Sequence, residues 1–252
     1  MIIDIPAARD IPALRQLWKQ AFGDTDAFLD SFFARGFAFD RCRCVRIDSA
    51  LAAALYWFDC DWQGKQVAYI YAVATDTAFR GKGLCRALME NTHRHLQNNG
   101  YAGAALVPGS RELFSLYEKL GYRSFCPIQT LTVSAGKDAV SPELLSAKEF
   151  DTLRRSLLPE NALLQEGQTT AFLSAFAGLY KTENSVFAAT KEENTLHFQE
   201  YLGDPALLPD IIAGLKAETG IVRLPGGDTD TAMYHSFDGS DALPAYLGIP
   251  LN

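Results

Sequence analysis

The stretch from Tyr69 to Glu90 limits the fold of this chain more than any other part of it. Tyr69-Ile-Tyr-Ala-Val-Ala-Thr75 is apolar and rich in aromatic and β-branched residues, as a buried strand is. A short loop leads from it to Arg80-Gly-Lys-Gly83, and then to Leu84-Cys-Arg-Ala-Leu-Met-Glu90, where apolar residues return at helical spacing. A strand that turns on glycine into an amphipathic helix belongs to a layered α/β fold. The start of such a helix carries free backbone N–H groups and the positive end of the helix dipole, which together favour an anion. Gly81 and Gly83 remove Cβ atoms that would hold a phosphate away, and Arg80, Lys82 and Arg86 bring positive charge to the same place.

The pattern on either side extends this reading. Residues 6–22 predict a helix, with Ile11, Leu14, Leu17, Trp18 and Phe22 on one face, and residues 25–39 predict a second, aromatic-rich helix. Strands are expected over 42–47, 51–58 and 66–73, the last two joined by a turn through 61–65. A helix over 84–98 should end at Asn99-Gly100 in a left-handed cap, followed by a strand over 102–107, a helix over 111–120 stopped by Gly121, and a strand over 122–133. Hairpins pair antiparallel and a helical crossover favours a parallel pair, so the sheet is mixed. Small polar residues at 134–138 mark a boundary, giving domains 1–135 and 136–252. The second half predicts helices over 149–157, 170–180 and 205–218, strands over 186–190, 196–201 and 221–224, and a turn at Gly226-Gly227.

Composition narrows the partners. The 252 residues are 48% hydrophobic and carry a net charge of −7, without a run of lysine or arginine. Nucleic acid, which needs a positive stripe, is a poor partner for such a surface. The start has no basic, apolar leader, and the longest apolar run, 51–58, is far short of the roughly 20 residues that span a bilayer. Five cysteines without a C-x-x-C pair indicate neither a disulfide framework nor a zinc site; Cys42 and Cys44 read as small buried residues, and no metal is expected. A reducing cytoplasm suits this pattern.

Three phosphate-binding patterns compete for the turn. A P-loop fails because Lys82 is followed by Gly83, and a dinucleotide fingerprint fails because Arg86 stands where its third glycine belongs. The pattern R-x-x-G-x-[GA] is filled from Arg80 through Gly81, Lys82, Gly83 and Leu84, with Cys85 in the last place. Downstream, Leu116, Tyr117, Lys119, Gly121 and Tyr122 fill an L-Y-x-K-x-G-F-like run. With both motifs, the first 130 or so residues resemble the GNAT superfamily of N-acetyltransferases. Cys85 departs from the usual glycine or alanine but is still small.

The resemblance implies a mixed, mostly antiparallel sheet flanked by helices, and acetyl-CoA as co-substrate with its pyrophosphate on the turn. It implies that Val73, Ala74 and Thr75 offer backbone groups to the pantetheine arm, and that Tyr117 protonates the departing thiolate. The reaction would be direct attack by a primary amine, of a small molecule or peptide, in a ternary complex. Asp59, Asp61, Glu118 or a chain of waters remain open as the base. The four histidines form no triad pattern, and His93 and His95, two apart on a helix, suggest surface positions. Phe22, Asp24, Asp26, Phe28, Asp30, Phe32 and Phe33 would suit a cationic, partly apolar acceptor, or else form a phenylalanine core stripe with a solvated acidic face.

The second half resembles a partial GNAT domain without the turn. Such a layout is similar to a shortened acetyltransferase of the enhanced-intracellular-survival type, which adds a third domain for which 252 residues leave no room. There the C-terminal carboxylate serves as base, and the tail Tyr246-Leu-Gly-Ile-Pro-Leu-Asn252 is a further open candidate for that role here. The oligomeric state is open, a homodimer included. The competing classes are a non-catalytic acyl-CoA-binding module and an interaction protein.

Overall fold

The structure, a computed structural model, describes residues 1–251. It divides into two compact units, one of Met1–Ser124 with Ala232–Leu243, the other of Phe125–Thr231 with Pro244–Asn252.

The first unit begins with β1 (Ile2–Asp4), too short for the sequence pattern to reveal. A turn leads to α1 (Ile11–Phe22), which carries proline in its first turn and ends on Gly23 at φ 77°. Thr25 caps α2 (Asp26–Ser31) by accepting from the Phe28 amide. The helix expected through 39 stops early: Phe32–Gly36 form a π turn, closed by the bond from Phe37 N to Phe32 O at 2.8 Å. Then follow β2 (Cys42–Ile47), β3 (Ala50–Trp62), β4 (Lys65–Thr75), α3 (Leu84–Asn98), β5 (Gly103–Leu106) and α4 (Arg111–Glu118).

Strands β1 to β5 lie side by side in chain order. Pairs β1–β2, β2–β3 and β3–β4 are antiparallel, while β4–β5, joined through α3, is parallel. Alternation along β3 sorts the layers. Tyr56 meets Trp18 of α1 at 5.2 Å between ring centres, whereas Trp57 joins Leu88 and Met89 of α3 in the main core. That core also takes Tyr117 and Leu120 from α4 and its end, so α3 and α4 cover the face opposite α1.

The second unit contains most of β6 (Arg123–Ser134), then β7 (Glu143–Leu144), α5 (Ala147–Leu157), β8 (Leu164–Gln165), α6 (Gln168–Leu173), β9 (Gly178–Lys181), β10 (Ser185–Glu192), β11 (Thr195–Gly203), α7 (Leu208–Gly214) and the first part of β12 (Thr219–Ser236). Its strand order is β12-β11-β10-β9-β7, with β6 beside β12. The units part within β6 rather than at 134–138, because Leu131, Val133 and Ala135 already pack on the second core, around Phe187, Phe198 and Ile211.

Three expectations in this half are corrected. The helix over 170–180 is α6 followed by β9, with Gly178 opening the strand. The helix over 205–218 ends at Gly214, whose missing Cβ makes room for the Val140 carbonyl. Gly226-Gly227 is no turn but a kink inside β12, where a Cβ on Gly227 would come within 2.8 Å of the Ile128 carbonyl.

At Ala232 the chain re-enters the first unit, and Met233–Ser236 pair antiparallel with Leu106–Gly103. Among the described residues no helix is long and apolar enough to cross a membrane.

Candidate active site

Strand β4 is bound to β5 only over Val67–Tyr69, and the two part beyond that point. At the same place β4 bulges: the register against β3 shifts between Ala54 and Tyr56, and Ala72 takes φ 49°, an uncommon value for a residue with a side chain. Past the bulge, Ala74 and Thr75 remain paired to β3 on one side, leaving the other side of the backbone open. The chain then makes a turn capped by Asp76, whose carboxylate accepts from the Ala78 amide at 2.8 Å.

Gly81 and Gly83 both have φ 74°, and a Cβ on either would meet nothing within 4 Å. Glycine is therefore needed for the backbone conformation itself. Gly83 precedes α3 without any side-chain cap, and the first helical bond runs from Ala87 N to Gly83 O at 3.0 Å. The amides of Leu84, Cys85 and Arg86 have no carbonyl four residues back within the helix.

Between these elements lies a cleft of about 420 Å³. Val73, Ala74 and Thr75 form one wall; Arg80, Gly81, Gly83, Leu84, Cys85 and Arg86 form the helix-start wall. Leu113 and Leu116 of α4 and Ala21 and Phe22 of α1 close it. Every residue expected to hold the cofactor thus lines one cavity except Lys82, whose ammonium lies 5.0 Å over the Phe79 ring. The Arg80 Nε donates to Thr75 O at 3.2 Å, tying the turn to the strand.

Tyr117 follows Leu116 on α4 and does not line the cleft. It is 6% exposed, and no described residue forms a hydrogen bond with its hydroxyl. Burial pushes the phenol above its ordinary pKa, with the Cys85 thiol adding to the effect. Burial likewise raises the Cys85 thiol. A Tyr117 phenol in this setting stays protonated at neutral pH.

The acids have other partners. Asp59 pairs with Arg41 at 2.9 Å and accepts from the Tyr101 hydroxyl at 2.5 Å. Asp61 caps the β3–β4 turn at Gly64 N, and Glu118 is exposed on α4. None of the three lines the cleft. Asp26 is engaged by Lys19 and Arg15, and Asp30 by Arg15. Asp24 accepts from the Trp18 indole at 2.7 Å. Burial, with help from Asp24, pushes the Tyr71 phenol upward. Phe32 is fully buried among Trp18, Tyr56 and Tyr71, while Phe22 stands exposed at the cleft.

The expected surface position of His93 is wrong. The residue is only 9% exposed, and its Nε2 is 2.9 Å from the Tyr122 hydroxyl. The ring of His235, from the returning end of β12, lies 4.9 Å from it at a tilt of 43° and bonds the Gly121 carbonyl through Nδ1 at 3.0 Å. No local spacing could announce a contact across 114 positions. The tail belongs to the second unit, with Tyr246, Leu247, Ile249 and Leu251 all under 5% exposed, and its terminal Asn252 lies outside the described residues.

No curated protein sequence matches the chain. Among solved structures it is similar to a GCN5-related N-acetyltransferase from Kribbella flavida, at 17% identity, covering 97% of this chain and 73% of that one with a TM-score of 0.72. A second GCN5-related N-acetyltransferase, from Anabaena variabilis, gives 16% identity, coverages of 92% and 72%, and a TM-score of 0.73. Eis1 from Mycobacterium abscessus gives 10%, 94% and 74%, and 0.67. These likenesses establish the GNAT fold over most of the chain. Residues 3–125 match the family described as "Acetyltransferase (GNAT) domain", so the part of the chain that holds the whole cleft belongs to the GNAT acetyltransferases.

Proposed function

We propose that the protein transfers an acetyl group from acetyl-CoA to a primary amine, by direct attack within a ternary complex. The observation that carries this reading is the single cleft in which the open side of β4 meets the uncapped start of α3. In this reading the amides at the start of α3, with Arg80 and Arg86 nearby, take the pyrophosphate. The pantetheine arm lies along Val73–Thr75 like an added strand, and backbone N–H groups there polarise the thioester carbonyl.

The neutral amine attacks the carbonyl carbon, a C–N bond forms, and the C–S bond breaks. Tyr117 gives its phenolic proton to the departing thiolate. The amine's surplus proton leaves through water in this reading, since Asp59 is held by Arg41 and Tyr101, Asp61 by Gly64 N, and Glu118 is exposed. For the acceptor we infer a cationic, partly apolar amine, which must shed its proton before attack. Asp24 supports this, as the acid of the first helices that Arg15 and Lys19 leave to an aromatic wall. The second half, from about residue 136, serves in this reading as a degenerate GNAT-like companion without a pyrophosphate turn.

Calorimetry with acetyl-CoA should give one site per chain, and thiol release should depend on an added amine. Binding without release across a broad amine panel would make the protein an acyl-CoA-binding module instead. Two sites per chain would refute the placement in the first half.

A further inference from the structure

We infer that His235, delivered by the returning end of β12, is a positioning residue for Tyr117, acting with His93 and Tyr122. The inference rests on the proposed role of Tyr117 as proton donor.

The connection can be followed bond by bond. Helix α4 ends just after Tyr117, and the backbone carbonyl of Tyr117 accepts from Leu120 N at 2.9 Å and from Tyr122 N at 3.1 Å. The position of Tyr117 is thus set by the turn through Gly121 and Tyr122. That turn has two outside anchors. The Gly121 carbonyl can only accept, so the Nδ1 of His235, 3.0 Å away, carries the proton and donates. The Tyr122 hydroxyl is held by His93 Nε2 on α3 at 2.9 Å. The rings close the cluster: Tyr117 meets Tyr122 edge-on at 5.7 Å, and His235 lies 5.4 Å from Tyr122.

Gly121 has a reason of its own in this arrangement. Its φ is 87°, and a Cβ there would come within 2.8 Å of the His235 ring. The imidazole is seated on the glycine, so its contact with the turn is close and directional. His235 itself is fixed from behind, since its backbone pairs with Ala104 of β5. A histidine on a strand of the same sheet therefore holds the helix that carries the proton donor, at a distance from the cleft.

A residue that only stabilises the fold and one that aims Tyr117 are separated by a cycle of variants assayed for acetyl-CoA turnover with an accepted amine. His235→Ala should lower kcat by about tenfold to a hundredfold, the range a misplacement of about 1 Å costs, with the KM for acetyl-CoA changed by less than about threefold. His235→Asn, which can present an N–H in the same place, should recover most of the loss. In the Tyr117→Phe background His235→Ala should have no further effect on kcat, because the group it aims is gone. Losses that multiply in the double variant, or an acetyl-CoA KM that rises as kcat falls, would overturn the inference. So would an alanine variant as active as wild type, or an asparagine variant as impaired as alanine. Should the alanine variant not fold, the asparagine and Tyr122→Phe variants carry the same cycle. A wild-type protein without turnover on any amine would defeat the proposed function itself, and this inference with it.

Discussion

Helices α3 and α5 begin in opposite ways. Ser146 caps α5 through a reciprocal box, accepting from Glu149 N at 3.3 Å while the Glu149 carboxylate accepts from Ser146 N at 2.9 Å. Helix α3 starts on a left-handed glycine with no side-chain cap at all. One helix binds its Ser146 and Glu149 amides itself; the other leaves its first amides to water or to a ligand. The interiors differ in the polar groups they hold. The second unit encloses a complete ion pair, Arg154 with Glu200 at 2.5 and 2.9 Å, both side chains 0% exposed. In the first unit Tyr117 is 6% exposed, and no described residue forms a hydrogen bond with its hydroxyl. The start of α3 stands out because its uncapped residues, Gly83 to Arg86, line a cleft.

The largest effect expected is at Tyr117. If its hydroxyl is the proton donor, Tyr117→Phe should keep the packing and lower kcat by about a hundredfold to ten-thousandfold, with acetyl-CoA affinity changed by less than about threefold. Near wild-type turnover would remove the open hydroxyl from the comparison. Collapse of affinity instead would make it a cofactor anchor.

Next in size is the helix start. Gly83→Glu places a carboxylate where the pyrophosphate is proposed to lie, and should weaken acetyl-CoA binding by at least about a hundredfold. A side chain at φ 74° costs about 1–2 kcal/mol of backbone strain, so the melting temperature should shift far less than binding does. Gly83→Asn, which tolerates that conformation, separates charge from strain: it should bind acetyl-CoA almost as glycine does. Retained micromolar affinity in the glutamate variant would mean that the phosphates are held elsewhere.

A smaller effect concerns acid. Burial, with His235 second, pulls the His93 pKa from 6.5 down to about 3. Protons therefore bind the unfolded chain before the folded one, so this stability is present above pH 6.5 and is lost as pH falls toward 3. The slope reaches about 1.4 kcal/mol per pH unit. Chemical denaturation between pH 7 and 4 should show it, and His93→Gln should flatten it. A slope unchanged by that variant would mean that His93 is free to charge in the folded protein.

The smallest effect tests the other helix. Ser146→Ala should cost about 1 kcal/mol of stability and leave acetyl-CoA affinity untouched. A change in affinity would erase the distinction between the two helix starts.

What could be read in advance follows the range over which each feature is encoded. The turn from Arg80 to Cys85 is local: glycine, charge and apolar spacing lie within a few residues, and eight of its nine expected cofactor residues, including those on β4, line one cleft. The bulge at Ala72 left no mark, because alanine rarely takes a positive φ and only the packed sheet requires it. The π turn at Phe32–Gly36 has the same apolar spacing as an α-helix over so short a stretch. The burial of His93 depends on Tyr122 and on a strand more than a hundred residues away, which no window along the chain contains. Phenylalanines and acids at 22–33 fit both a core stripe and an acidic face, and only the folded arrangement separates Asp24 from the ion-paired Asp26 and Asp30.

The strand that completes the first sheet also sets an order of events during synthesis. When Ser124 leaves the ribosome, β5 has no neighbour on its outer side, and the strand that covers it is about 110 residues from being made. At about 5–20 residues per second the gap lasts roughly 5–20 s, long compared with the microseconds in which a hairpin forms. Throughout that interval Gly103–Leu106 presents unpaired backbone to any other nascent strand. The segment is only four residues long, and so gives a stray partner little to hold. Brevity at β5 thus protects a half-built domain until the chain returns.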